Sequence, residues 1–385
     1  WAVVAPTGQV ATGSGSETAV NGADARGTGA VAIGTFARAG TKTAPPHGIN
    51  TGTIAIGGSD SGTATYADGN NAIAIGTSAN SNGAKATSIG SDAIASDQFA
   101  TALGGRAEAK ARGATAIGGW TQATGQFAVA IGGSDRFGRD NNTELNDGSG
   151  ATLASGDRST AIGRRAKASG NDTLAFGTNA EATGVDAVAF GTNANASILK
   201  SIAIGKNTQA TGEASIVIGS DDHIYGEIKA SSRQGIAIGT GAKATGATQA
   251  VAIGPDAIAS GTQSTSIGNN TRATGDSSIA IGGDDWNIVR TKPVAAAGNK
   301  QVHQVFQELT GMEMKANGEA YKNPFKGTTS ADAAVAVGVN AYAEGVLSTA
   351  FGSGTSATGL GASAFGVGAS ASKDKSVAIG AGSNT

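Results

Sequence analysis

The sequence predicts an all-β fold, a thin β-solenoid wound in coils of fourteen residues. Three observations carry that prediction. A phrase of the form small–x–small–branched–Gly occurs twenty times, closing first at Gly34 and last at Gly380, and thirteen of the nineteen intervals are fourteen residues. A fixed step of this kind is the signature of a repeat architecture. Within each step, small and branched residues alternate in two short runs parted by glycine, which reads as strand, turn, strand, turn. The composition fits nothing bulkier: glycine accounts for 62 residues, aromatics for 4% and charged residues for 15%. Such a chain cannot fill a deep globular core, yet it carries too little charge to read as disordered.

The elements follow from numbering each coil so that its closing glycine is position 14. In "TNAEATGVDAVAFG" (178–191), positions 3, 5, 10 and 12 are Ala180, Ala182, Ala187 and Ala189, and position 7 is Gly184. Positions 11 and 13 are Val188 and Phe190. A glycine every seven residues among branched residues costs too much for a helix. Strand alternation puts positions 10 and 12 on one face and 11 and 13 on the other. A coil this short holds two strands of about five residues nearly back to back, so only Ala and Ser fit between them. The large side chains of positions 11 and 13 then point outward on one strand. Stacking the coils turns them into an apolar stripe, which is an interaction surface. Its candidate interface residues are Ile56, Ile75, Ile89, Ile117, Ile131, Phe176, Phe190, Ile202, Ile204, Ile218, Ile238, Ile253, Ile281, Phe351 and Ile379. The outward slots of the other strand (Glu108, Lys110, Glu181, Lys243, Arg272) are polar and mixed in charge, so that side faces water. Every coil repeats the stripe, so the simplest partner is another copy of the chain, gathered by closed cyclic symmetry.

The phrases "AVAIGTFA" (30–37), "NAIAIGTSA" (71–79), "SIAIGKNT" (201–208) and "SVAIGAGS" (376–383) resemble the SVAIGxxS repeat of YadA-like heads in trimeric autotransporter adhesins. The resemblance covers nearly all of the chain outside its insertions. It implies a left-handed parallel β-roll intertwined as a homotrimer. It also implies a place on the surface of a Gram-negative bacterium, with a stalk and an outer-membrane anchor supplied by a C-terminal region absent from this sequence. The implied function is attachment to host cells, to other cells and surfaces, or to extracellular-matrix proteins such as collagen, fibronectin or laminin. Where the family phrase has Val, position 11 here holds Thr at Thr87, Thr101, Thr115, Thr160, Thr265 and Thr349, which thins the stripe locally.

Aligning the phrases backward exposes extra residues at 58–62, 133–149, 220–225 and 283–324, with a further insertion at 40–48 inside a coil. The expected organisation is a head over 1–282, a helix-containing insertion over 283–324 and a continuation of the head over 325–385. Four insertions open on Asp60, Asp135, Asp221 and Asp285, after position 14, and so leave from one edge. Those aspartates are either calcium ligands or Asx-turns that release the chain. No D-x-D-x-D spacing accompanies them, which favours the turn. In the long insertion, Val302, Val305, Phe306, Leu309 and Met312 follow helical spacing, with Asn299 as N-cap and Gly311 as stop. Such a short amphipathic helix lies on the roll or presents a recruiting surface. The insertions also hold Phe137, Tyr225, Trp286, Phe306 and Tyr321, the candidate ligand contacts, since aromatic anchors beside charged rims make selective patches.

Enzymatic chemistry is not expected, and neither is a cofactor or a bound metal. His47, His223 and His303 lie in three different insertions, so one chain offers no histidine cluster. The absence of cysteine removes disulfides and thiolate sites and suits an exported protein. A net charge of −2 with scattered signs lacks the footprint of a nucleic-acid binder. The chain begins at Trp1 without an initiator Met and reads as a piece of something longer. Hexapeptide-repeat acyltransferases are excluded because fourteen is not a multiple of six. An ice-binding solenoid is a poor second, because its flat Thr-x-Thr arrays are missing. The serious rival to an adhesin is a structural spacer rod, and decoration of one edge argues against it.

Overall fold

The computed structural model describes residues 10–13, 17–18, 22–26, 28–40, 51–58, 64–133, 150–220, 227–284, 286–314 and 327–385. Two compact units divide the chain, Trp1–Ser197 and Ile198–Thr385. Each is a parallel β-solenoid with coils of fourteen residues. In the first, Leu174–Phe176 pairs in parallel with Val188–Phe190, placing Leu174 beside Val188 and Phe176 beside Phe190. In the second, Ile202–Ile204 pairs in the same way with Ile216–Ile218.

The strands are shorter than the sequence implied, three residues at positions 11–13 and two at positions 4–5, as in Val188–Phe190 and Glu181–Ala182. The turns consume the rest. Positions 2 and 9 both adopt left-handed backbone, for example Asn179 (φ 56) and Asp186 (φ 57). Short polar residues tolerate that region best. The two glycines of a coil answer different demands. Gly76, at position 14, has φ 130, and a Cβ there would lie 2.5 Å from the Gly90 carbonyl oxygen. At position 7, Gly83 has no left-handed φ; an added Cβ would collide with the backbone of Asp97 in the next coil. Stacking at one strand spacing leaves no room for it.

The interior is as narrow as its residues require. Ala180, Ala182, Ala187 and Ala189 are fully buried, and the largest fully buried side chains are Ile228 and Val217. Hydroxyls enter this space by bonding the turn three residues earlier: Thr121 Oγ1 donates to the Gly118 carbonyl at 2.8 Å and Ser159 Oγ to Gly156 at 2.6 Å. These two meet the general requirement that buried polar groups find partners, whereas others such as Ser88 and Ser278 have none among the described residues.

Most insertions leave the ladder and return without shifting it. Val129 pairs with Thr160, Ile216 with Ile236, and Ile279 with Val335. One feature had no counterpart in the sequence reading: Val10–Gly13 runs antiparallel to Ala30–Ile33. It covers an edge strand that would otherwise present open hydrogen-bonding groups.

Within the long insertion, helix α1 (Asn287–Arg290) precedes a two-stranded pairing of Pro293–Val294 with Lys300–Gln301, and helix α2 spans Val302–Thr310. The N-cap is Gln301, not Asn299. The Gln301 N–H donates to Gln304 Oε1 at 2.8 Å in a capping box, while Asn299 (φ 62) turns the hairpin and donates to the Val294 carbonyl. Gly311 (φ 70) ends the helix as expected. Of the two fates open to the helix, it takes the first and lies on the roll. Phe306 and Trp286 are 6% and 8% exposed, their rings meeting edge-to-face at 4.9 Å, and Val339 and Val367 of the coils pack against this cluster. No helix among the described residues is long and apolar enough to cross a membrane.

Candidate assembly face and ligand-contact residues

Position 12 of every complete coil is buried and positions 11 and 13 are not, so the alternation read from sequence gives the faces correctly. Val188, Ala189 and Phe190 run half-buried, buried, exposed. All the interface candidates from Ile56 to Ile379 lie on this outward face and are half-buried or exposed. Each has the residue above and below it in the ladder as a neighbour. The rings of Phe176 and Phe190 stack at 4.8 Å with 6° between planes, and Phe351 stands beside Phe365 in register. Phe351 is still 55% exposed and Ile379 73%. Leu103, Ile162, Ile267, Val337 and Phe365 occupy the same register and belong with the set. The signal for them was present, since each precedes a closing glycine.

The opposite outward slots are less uniformly polar than expected. Lys167 Nζ meets Glu181 Oε1 at 3.0 Å across one coil step, but Tyr66, Ile94, Leu153, Ile258 and Tyr342 share this face. Burial raises the phenol pKa of both tyrosines above the usual range. These residues have the two-residue strand's outward position in common, where a packed row of neighbours accepts either character.

Of the insertion residues, Phe137, Tyr225 and Tyr321 lie outside the described residues, as do His47, His223 and the four opening aspartates Asp60, Asp135, Asp221 and Asp285. Trp286 and Phe306 are placed, and both are buried against the roll. Leu309 of α2 and Met312, just past its C-cap, are exposed instead. His303 Nδ1 sits 3.0 Å from the Arg290 carbonyl, and Arg290 Nε donates to the Met314 carbonyl at 2.9 Å, so both residues tie the insertion together. Next to Asp285, the buried Asp284 accepts from Asn269 Nδ2 at 2.7 Å and Asn270 Nδ2 at 2.8 Å, which anchors the point where the insertion departs.

Sequence reasoning missed a set of aromatics on the turns of the first unit. Phe99, Trp120 and Phe127 occupy left-handed positions, each with a cation from a neighbouring coil over its ring: Lys85, Arg106 and Arg112. An aromatic at position 2 or 9, where the non-glycine residues are mostly Asn, Asp, Lys or Gln, was the available signal.

Eleven stretches of the chain, 61–79, 67–93, 81–107, 109–134, 154–180, 182–207, 199–221, 230–257, 259–284, 330–355 and 357–383, match the YadA head domain repeat (2 copies). Together they cover more than half of the chain and pass over most of the long insertion. No curated protein matches the chain.

Proposed function

The chain belongs to the YadA head family, so it is an adhesin head of a trimeric autotransporter and not an enzyme, and from this premise we propose how it assembles and what it holds. Three copies wind as left-handed rolls and bring their position-11 and position-13 stripes to a common axis. The observation that carries this is the row of half-buried and exposed Ile, Val and Phe in strict register along the ladder. Each such residue that becomes fully buried contributes roughly 1.5–3 kcal/mol. The trimer displays each outward feature three times, so weak contacts gain strength by multivalency. The head attaches the Gram-negative cell to extracellular-matrix proteins of a host, of which collagen, fibronectin and laminin are the first to test, or to cells. It is held at the outer membrane of that cell.

Coated-well binding of the purified chain to collagen, fibronectin, laminin and bare plastic tests the adhesive role. Saturable binding to at least one coated protein, well above plastic, is the expected result. Equal, non-saturating retention on every surface would favour a spacer with no ligand of its own.

A further inference from the structure

The turn that joins the two-residue strand to the three-residue strand forms one edge of the first unit, and position 9 on it must be left-handed. Other coils place Asn71, Asp172 and Asp186 there. Phe99 (φ 62) and Phe127 (φ 55) break that habit. They are 43% and 54% exposed, so neither ring supports the core. A bulky ring in a strained backbone region, left open to water, is the kind of outlier that points to function rather than folding. Between them stands Gly113, where a Cβ would lie 2.5 Å from Cδ1 of Phe127; the ring of Phe127 lies over this bare position. The two phenylalanines are therefore two coil steps apart, about 10 Å, with no other side chain rising between them.

Two cations stand over the rings on this edge. Lys85 Nζ lies 5.3 Å from the centroid of the Phe99 ring, and Arg112 Cζ lies 6.0 Å from that of Phe127. Both cations are exposed, and neither forms an ion pair among the described residues. By contrast, Arg106 is paired with Asp92 and Lys110 with Glu108. The carboxylates of Asp97 and Asp157 are turned to backbone work, accepting from the N–H groups of Gln98 at 2.6 Å and Gln126 at 2.9 Å. The backbone itself is closed. Phe99 N–H donates to the Ala84 carbonyl, Gly113 N–H to Gln98 and Phe127 N–H to Arg112. A peptide adding here as a strand would find these three position-9 donors already used.

We propose that this edge binds an extended anionic polysaccharide, with sugar faces stacked on Phe99 and Phe127 and carboxylate or sulfate groups beside Lys85 and Arg112. The two-coil spacing is close to the repeat of an extended β-linked disaccharide, and stacking with ionic contact needs only side chains. This inference deepens the adhesive reading and rests on it, because it names a class of surface ligand.

Calorimetric titration of the whole chain with heparin, hyaluronan and dextran oligosaccharides tests it. Heparin or hyaluronan should bind, and binding should weaken as salt screens the charges. Phe99→Asn with Phe127→Asn installs a residue that other coils carry at this position, so the coil stays folded; affinity should fall about tenfold or more. Lys85→Gln with Arg112→Gln should do the same at low salt. Heparin binding without hyaluronan binding assigns the anion as sulfate, and both together assign any anion. Dextran binding as well as either, or no binding to any of the three, overturns the proposal. So does a change of oligomeric mass in the Phe double variant, which would make this edge a contact between copies. Coated-well attachment is measured in parallel on the same variants. Matrix attachment by the unmutated chain without binding to any oligosaccharide sinks this inference alone, and failure of the unmutated chain to attach to any coated protein sinks the adhesive reading itself.

Discussion

A methyl group is the largest side chain that most interior positions accept, and the consequence is clearest at the serines. Ser88 occupies position 12 between Ala74 and Ala102 in the ladder, and its buried hydroxyl has no partner among the described residues. Ser159, at position 10, donates to the Gly156 carbonyl. Removing an orphaned hydroxyl from a site where Ala already fits should stabilise the fold. Ser88→Ala is expected to gain about 1 kcal/mol and Ser159→Ala to lose about 1 kcal/mol. Urea denaturation of the two variants reads the difference, and two changes of the same sign would mean that Ser88 has found a partner, such as a water.

At the scale of the element, α2 shows how a helix too short to stand alone is held. Isolated helices of this length are marginal in water, so tertiary contact must supply the stability. The seat is a row of glycines at position 2 of three successive coils. A Cβ on Gly354 would come 2.9 Å from Cη2 of Trp286, one on Gly368 2.6 Å from Cε of Met312, and one on Gly382 2.7 Å from Cα of Thr310. Phe306→Ala removes the ring that fills this seat and should cost roughly 3 kcal/mol. The loss should be local: amide exchange should quicken over the turns at 353–354, 367–368 and 381–382 while the coils before Asp284 are unchanged. Unchanged exchange at those turns would show that the helix does not rest there. Deleting 283–324 is the harsher form of the same test. Ile279 already pairs with Val335, so the roll should close while losing this cover.

At the scale of the whole molecule, the stripe decides whether the chain lives alone. Ile204 is an exposed member of it, standing beside Ile218 in the ladder. Ile204→Asp should place one carboxylate from each copy in an apolar seam, where unpaired charge is far more costly than a lost side chain. Light scattering should then report loss of the trimer, accompanied by a lower melting temperature. A variant that keeps both the wild-type mass and melting temperature would show that the stripe faces elsewhere. The thinned stretch at Thr87, Thr101 and Thr115 should tolerate a polar substitution better than the all-aliphatic stretch at Ile202, Ile216 and Ile236, since less apolar area is at stake.

The sequence by itself determined the coil, because everything the coil needs lies within fourteen residues of chain. Small residues at positions 3, 5, 10 and 12, glycine at 7 and 14, and branched residues at 11 and 13 each answer a local steric demand, and repetition makes the demand readable. Only the tertiary structure decided how the rest is used. The strand lengths depend on left-handed residues at positions 2 and 9, which Asn179 and Asp186 permit but do not announce. The antiparallel Val10–Gly13 has no repeat phrase to reveal it. Trp286 and Phe306 looked like free anchors, yet Trp286 rests against Gly354, sixty-eight residues away, and no periodicity reports a contact at that separation. Lys85 and Phe99 are fourteen residues apart in sequence and neighbours only because the coils stack. Local repetition encodes local geometry; contacts between unlike segments are decided when the chain closes on itself.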